Sequence, residues 1–174
     1  MIRIFLTGYM GAGKTTLGKA FARELNIPFI DLDWYIEERL HKSIRELFIE
    51  RGEASFRELE RTMLHEVAEF ENVIISTGGG TPCFFDNMEY MNEHGQTVFL
   101  DVHPDVLFRR LRVATQQRPI LQGKNRTKNC GFFHYRSLGK IVHRTMVRQD
   151  TVSMPGSWKA VGKLRILCSS YVTC

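Results

Sequence analysis

At 174 residues, 43% of them hydrophobic, the chain has the length of one ordinary domain and enough apolar residues for a core, which excludes general disorder. No apolar run approaches the roughly 18 residues of a transmembrane helix. The net charge of +5 is unevenly placed: residues 1–124 hold 15 Lys+Arg against 18 Asp+Glu, a net of −3, and residues 125–174 hold 9 against 1, a net of +8. The basic excess, which would otherwise point to nucleic acid or membrane partners, therefore says nothing about the first two-thirds.

Residues 2–6 read as a short buried strand. Their apolar run of about four residues is too short for a secretory signal, which needs roughly 7–15, so a cytoplasmic protein is expected. A glycine-rich turn follows, and Leu17, Ala20, Phe21 and Leu25 then recur at helical spacing. Residues 28–32 form the next strand, and this strand–helix–strand order predicts a parallel sheet. Ser43 and Glu46 have the spacing of a capping box. Phe56, Leu59, Met63, Val67 and Phe70 mark the apolar stripe of a longer helix. Residues 73–77 are a strand ending in Gly78-Gly79-Gly80; Asp86 caps a helix that stops near Gly95; residues 97–102 are another strand. Pro104 suits the first position of a helix carrying Val106, Leu107 and Leu111. The alternation is that of a doubly wound α/β domain. Beyond Gly123 the pattern dissolves, apart from a short strand within residues 165–174. The four cysteines and six histidines show no metal-site spacing, so reduced thiols are expected.

Three places carry chemistry. Gly8 to Thr15 fits GxxxxGK[ST]. Small residues there let backbone amides converge on phosphate oxygens, and the next helix aims its positive end at the same anion. Lys14 reaches the β- and γ-phosphates, and the Thr15 hydroxyl can ligate Mg²⁺. A chance match in a Gly-rich turn is the bland alternative, and the strand before and helix after weigh against it. The second place is Asp31 and Asp33, at the carboxyl end of the second strand, where ligands of open parallel sheets bind. Two apart on a strand, they point to one face, so one carboxylate can serve a metal and the other an acceptor hydroxyl; the alternative is that either caps the next helix. The third is the acceptor wall. Three glycines allow close backbone approach or make a flexible turn, and Arg57, on one helix face with Glu60, either grips a carboxylate in bidentate fashion or lies on a solvated face.

Together these residues resemble the shikimate kinase family of P-loop proteins over residues 1–123. The phosphate loop is matched by Gly8–Thr16, the paired acidic motif by Asp31-Leu32-Asp33, the F-R-x-x-E helix by Phe56, Arg57 and Glu60, and the triple glycine by Gly78–Gly80. The Arg-Pro of the family's lid is matched by Arg118-Pro119.

The resemblance implies a three-layer α/β/α fold with a central parallel sheet and a lid, and ATP-dependent phosphorylation of the 3-hydroxyl of shikimate. Residues 1–124 would be the kinase domain, with substrate-binding helices at about 34–70 and a lid at about 112–124. Gly11, Ala12, Gly13, Lys14, Thr15 and Thr16 would bind ATP, with Arg118 swinging in on the lid; Thr15 and Asp31 would hold Mg²⁺. Asp33 would meet the acceptor hydroxyl, and Arg57 with Gly78, Gly79 and Gly80 would hold the substrate. Lys14, Asp33 and Arg118 are the catalytic candidates. A monomer is implied, with shikimate as partner and neither nucleic acid nor membrane. Rival functions are a gluconate-kinase-like enzyme and a nucleotide-binding chain impaired in catalysis. The family's second carboxylate-binding Arg has no match, since neither Arg136 nor Arg144 sits in its pattern. The break near residue 124 motivates the hypothesis that residues 125–174 are a frameshifted translation, the milder reading being a divergent segment of the same domain or a partly disordered one.

Overall fold

A computed structural model describes residues 2–114 and the short strand Arg165–Cys168. The chain runs through β1 (Arg3–Gly8), α1 (Lys14–Leu25), β2 (Phe29–Asp31), α2 (Leu32–Leu40), α3 (Ile44–Ala68), β3 (Val73–Ser76), a 3-10 turn (Thr81–Cys83), α4 (Asn87–His94), β4 (Gln96–Asp101), α5 (Pro104–Ala114) and β5 (Arg165–Cys168). The sheet order is β2-β3-β1-β4-β5. The first four strands pair in parallel, with Phe5 opposite Ile75 and Thr97, whereas β5 joins β4 antiparallel at the edge. The central sheet is thus parallel as expected, with one antiparallel edge strand.

Alternation along the strands produces three layers. Phe5, Ile75 and Phe99 point to one face, where Leu32, Ile36, Leu47, Phe56, Leu64 and Met91 from α2, α3 and α4 cover them. Leu6, Ile74, Val98 and Leu100 point to the other, under Leu17 and Ala22 of α1 and Leu107 of α5. Both sets are buried, and each fully buried side chain of this size contributes roughly 1.5–3 kcal/mol. The strands are short and apolar on both faces, as parallel strands covered on both sides must be.

Several local expectations hold. Ser43 caps α3 in a full capping box: its Oγ accepts from the Glu46 amide at 3.3 Å, and the Glu46 carboxylate accepts from the Ser43 amide at 2.8 Å. Pro104 opens α5. Others are corrected. Leu17 is buried as expected, but Ala20 and Leu25 are exposed, and Gly18 and Ala22 complete the buried face of α1. The helix lies so close to the sheet that a Cβ on residue 18 would come within 2.2 Å of the Phe29 ring, and this contact sets the buried face. Phe70 lies beyond the end of α3 and is 44% exposed. Asp86 precedes α4 without capping it, because its carboxylate accepts from Arg61 at 2.8 Å. Gly95 is extended, with φ −178, so it is not a left-handed cap; a Cβ there would sit 2.6 Å from the Arg3 carbonyl. The arm capped by Ser43 and the helix carrying the apolar stripe meet at a break at Gly52, whose φ of 74 and ψ of 172 suit glycine almost alone. Among the described residues no helix is long and apolar enough to cross a membrane.

Candidate active site

The phosphate loop joins β1 to α1. Gly11 and Gly13 take φ of 81 and 99, left-handed values that a side chain would strain. The turn closes through the Ala12 amide donating to the Tyr9 carbonyl at 3.0 Å. The amino end of α1 therefore faces the loop, and its partial positive charge favours an anion there. Lys14 Nζ donates to the Gly8 carbonyl at 2.8 Å and to that of Tyr9 at 3.2 Å, which holds the ammonium against the loop. Thr16 is exposed on the first turn of α1.

The Thr15 hydroxyl donates to Asp31 Oδ2 at 2.7 Å. Asp31 occupies the position before α2, yet its side chain makes no cap hydrogen bond. The capping alternative thus fails for its carboxylate, which belongs to the phosphate loop. Asp33 is not on the strand: it lies in the first turn of α2. Leu32 and Ile36, both fully buried, explain why, since a helix starting at residue 32 places both against the core. Half-buried Asp33 has a pKa pushed up to about 6 by burial and by the carboxylates of Asp31, Glu60 and Glu37, against the lowering effect of Lys14.

Arg57 stands on the opposite wall and is not on a solvated face. Its side chain is 15% exposed; Nη1 donates to Glu60 Oε2 at 2.8 Å, and Glu53 lies 3.7 Å away. The guanidinium sits 4.2 Å over the Phe84 ring and close to Phe48 and Phe56, whose own rings are 4.2 Å apart. An aromatic surround of this kind holds a planar cation in one orientation. Glu60 is 1% exposed and also accepts from the Thr81 hydroxyl at 2.5 Å.

The triple glycine is packed on three sides, which rules out a loose turn. A Cβ at Gly79 would be 3.1 Å from the Met10 amide of the phosphate loop. At Gly80 it would be 3.1 Å from Arg57 Nη2, and at Gly78 it would be 2.8 Å from both Glu60 Oε1 and Thr81 Oγ1 and 3.2 Å from Asp33 Oδ1. The glycines therefore lie where the two walls meet.

Two residues near the site had no signal in spacing. Arg110 of α5 donates from Nη1 to the carbonyls of Gly11 at 3.2 Å and Ala12 at 3.3 Å, across the phosphate loop. Thr81 is fully buried behind the glycines. Arg118, Arg136 and Arg144 lie outside the described residues, as do the lid beyond residue 114 and Cys130.

A parallel sheet with a phosphate loop after its first strand, facing acidic groups and a caged arginine, defines a P-loop small-molecule kinase. A protein-family model described as shikimate kinase matches residues 10–152. The shikimate kinase of Bacteroides thetaiotaomicron is 84% identical over 124 residues, which are 71% of this chain and 71% of that one. The crystal structure of shikimate kinase from the same organism superposes with a TM-score of 0.72 at 76% identity, covering 80% of this chain and 78% of the other. Shikimate kinase from Acinetobacter baumannii in complex with shikimate superposes with a TM-score of 0.66 at 29% identity, covering 82% and 75%. The chain belongs to the shikimate kinase family, and its activity is that of an ATP-dependent kinase acting on shikimate.

Proposed function

We propose that the crevice between the phosphate loop and Arg57 transfers the γ-phosphoryl group of ATP to the 3-hydroxyl of shikimate, with the following division of labour. The loop from Gly11 to Thr16 holds the phosphates, and Lys14 leaves the Gly8 and Tyr9 carbonyls to meet the transferring group. Thr15 and Asp31 offer a hydroxyl and a carboxylate 2.7 Å apart, an all-oxygen pair that suits a hard cation keeping most of its other ligands as water and phosphate. Mg²⁺ held by this pair would neutralise charge on the phosphates. Asp33 orients the acceptor hydroxyl and takes its proton. Arg57 binds the substrate carboxylate, beside the backbone of Gly78, Gly79 and Gly80. Most of the rate in such a transfer comes from positioning and charge, and these groups supply both.

One observation carries the reading. Gly79 packs against the loop at Met10 while Gly80 packs against Arg57, so consecutive residues of one turn touch both the phosphate loop and the arginine. Arg118 closing over the phosphates, on a lid at about 112–124 of a 1–124 kinase domain, rests on the Arg-Pro resemblance. A monomeric, cytoplasmic enzyme completes the reading. The experiment is coupled ADP release with ATP, Mg²⁺ and shikimate, beside a gluconate blank and a Lys14→Ala control. Shikimate-dependent turnover that the control lacks supports the assignment; equal turnover with gluconate overturns the acceptor side.

The charge break near residue 124 favours a second reading, in which the chain binds nucleotide but is impaired because residues 125–174 are out of frame. ATP binding without ADP release supports it, and an intact reading frame on resequencing removes its cause.

A further inference from the structure

We infer that Thr81 is a positioning residue for the acceptor site: its hydroxyl holds Glu60 so that Arg57 stays turned toward the crevice. The inference rests on the reading of Arg57 as the carboxylate-binding group. Glu60 is 1% exposed, so both carboxylate oxygens need donors. They are divided: Oε2 takes Arg57 Nη1 at 2.8 Å, and Oε1 takes the Thr81 hydroxyl at 2.5 Å. With Oε1 occupied, Arg57 meets Glu60 through Nη1, while its Nη2 lies beside Gly80.

Thr81 is itself fixed. It is fully buried; its amide donates to the Gly78 carbonyl at 3.3 Å, and its carbonyl accepts from Asn87 Nδ2 at 2.9 Å and from the Phe84 amide at 3.4 Å. A hydroxyl so anchored is a rigid donor. Removing it leaves a buried carboxylate oxygen unpartnered beside a guanidinium that can supply a second N–H. Arg57 then closes on both oxygens of Glu60 in a fork, the geometry it prefers with carboxylates, and turns away from the substrate. Glu60 Oε1 and Thr81 Oγ1 both border Gly78, where a Cβ would lie 2.8 Å from each, so the pair sits directly behind the first glycine of the turn.

The test compares Thr81→Val, which keeps the shape, Thr81→Ser, which keeps the hydroxyl, and Arg57→Ala. The readouts are KM for shikimate, KM for ATP, kcat, and the dissociation constant of shikimate by titration calorimetry. Thr81→Val is expected to raise the shikimate KM and dissociation constant roughly 10- to 100-fold, the loss typical when a buried charged acceptor is left without a donor. The KM for ATP should stay within about twofold, and Thr81→Ser should restore most of the shikimate affinity. Should Thr81→Val not fold, Thr81→Ala, lacking both hydroxyl and bulk, is measured against Thr81→Ser in the same way. If the hydroxyl-free variants bind shikimate as the unaltered chain does, or if Ser fails to rescue, Thr81 only shapes the turn and the inference falls. If Arg57→Ala also leaves shikimate binding unchanged, or the unaltered chain binds none, the acceptor-site reading has failed and the inference goes with it.

Discussion

Between Gly8 and Thr15 the phosphate side of the crevice is built from consecutive residues of one strand, turn and helix, whereas the acceptor side collects Asp33 from α2, Arg57 and Glu60 from α3, and Gly78 to Thr81 from the end of β3. The phosphate side works largely through backbone amides and a helix end, which any sequence of the right shape supplies. The acceptor side works through side chains that hold one another: Thr81 on Glu60, Glu60 on Arg57, Arg57 over Phe84. A local device loses function when its one reacting side chain is removed, while a networked device loses it by degrees as successive partners go.

The largest effect expected is on the phosphate side. Lys14→Ala should lower kcat by about 10²–10³-fold, since on the proposed reading it removes the cation that meets the transferring phosphoryl group. Because the turn is closed by the Ala12 amide on the Tyr9 carbonyl, the fold should survive, and ADP binding measured by calorimetry separates lost chemistry from a lost loop. On the acceptor side, Arg57→Ala should raise the shikimate KM roughly 10- to 100-fold with a smaller change in kcat. It also leaves Glu60, 1% exposed, without its cation, so a fall in melting temperature should accompany it. Arg57→Lys should recover stability better than affinity, because an ammonium can pair with Glu60 but cannot offer a fork. If Lys restores both, Arg57 acts as a point charge and the networked picture of this wall is wrong.

Much of the phosphate side, and of the local structure elsewhere, was legible because the rules involved are short-range. Glycines at Gly11 and Gly13 answer to left-handed backbone, Ser43 and Glu46 to a capping box, and alternate apolar residues to strands covered on both faces. The acceptor side was legible only through the family resemblance, since an arginine three residues before a glutamate is most often a solvated pair. What made Arg57 different, the ring of Phe84 and the burial of Glu60, comes from segments more than 20 residues away. The same limit explains two of the local misreadings. The buried face of α1 is decided by Phe29 pressing on Gly18, and the helical position of Asp33 by Leu32 and Ile36 reaching the core together. Arg110 was illegible for the same reason, its partners lying about 98 positions earlier.

Asp33 sharpens the contrast, because groups from both sides act on it: burial raises its pKa most, Asp31, Glu60 and Glu37 raise it further, and Lys14 from the loop lowers it. With a pKa of about 6, it is roughly nine-tenths ionised at pH 7, and kcat/KM should fall as pH drops through about 6. The same shift has a stability cost. The folded state holds the Asp33 proton more tightly than the unfolded chain does, so stability contributed by the protonated group is lost as pH rises from about 4 to about 6. Asp33→Asn should therefore abolish most turnover yet be more stable than the unaltered chain at pH 7, by about 1–3 kcal/mol, with the gain vanishing near pH 4. Urea unfolding at the two pH values measures it. A variant destabilised at both pH values would mean that Asp33 makes structural contacts that outweigh its burial.

The smallest effect concerns the arm of α3 that leads up to the acceptor wall. Residues Ile44 to Arg51 precede the break at Gly52 and carry Phe48, which packs on Phe56 next to Arg57. If the acceptor wall is a network, this arm should be held chiefly by its tertiary contacts and only slightly by its own cap. Ser43→Ala removes the acceptor for the Glu46 amide and should cost about 1 kcal/mol, or roughly 2–4 °C in melting temperature for a chain of this size. The shikimate KM should barely move, because fully buried Leu47 still seats the arm on the core. A KM that rises with the loss of the cap would show instead that the arm's local helix stability, and not its packing, sets the position of Phe48 against Arg57.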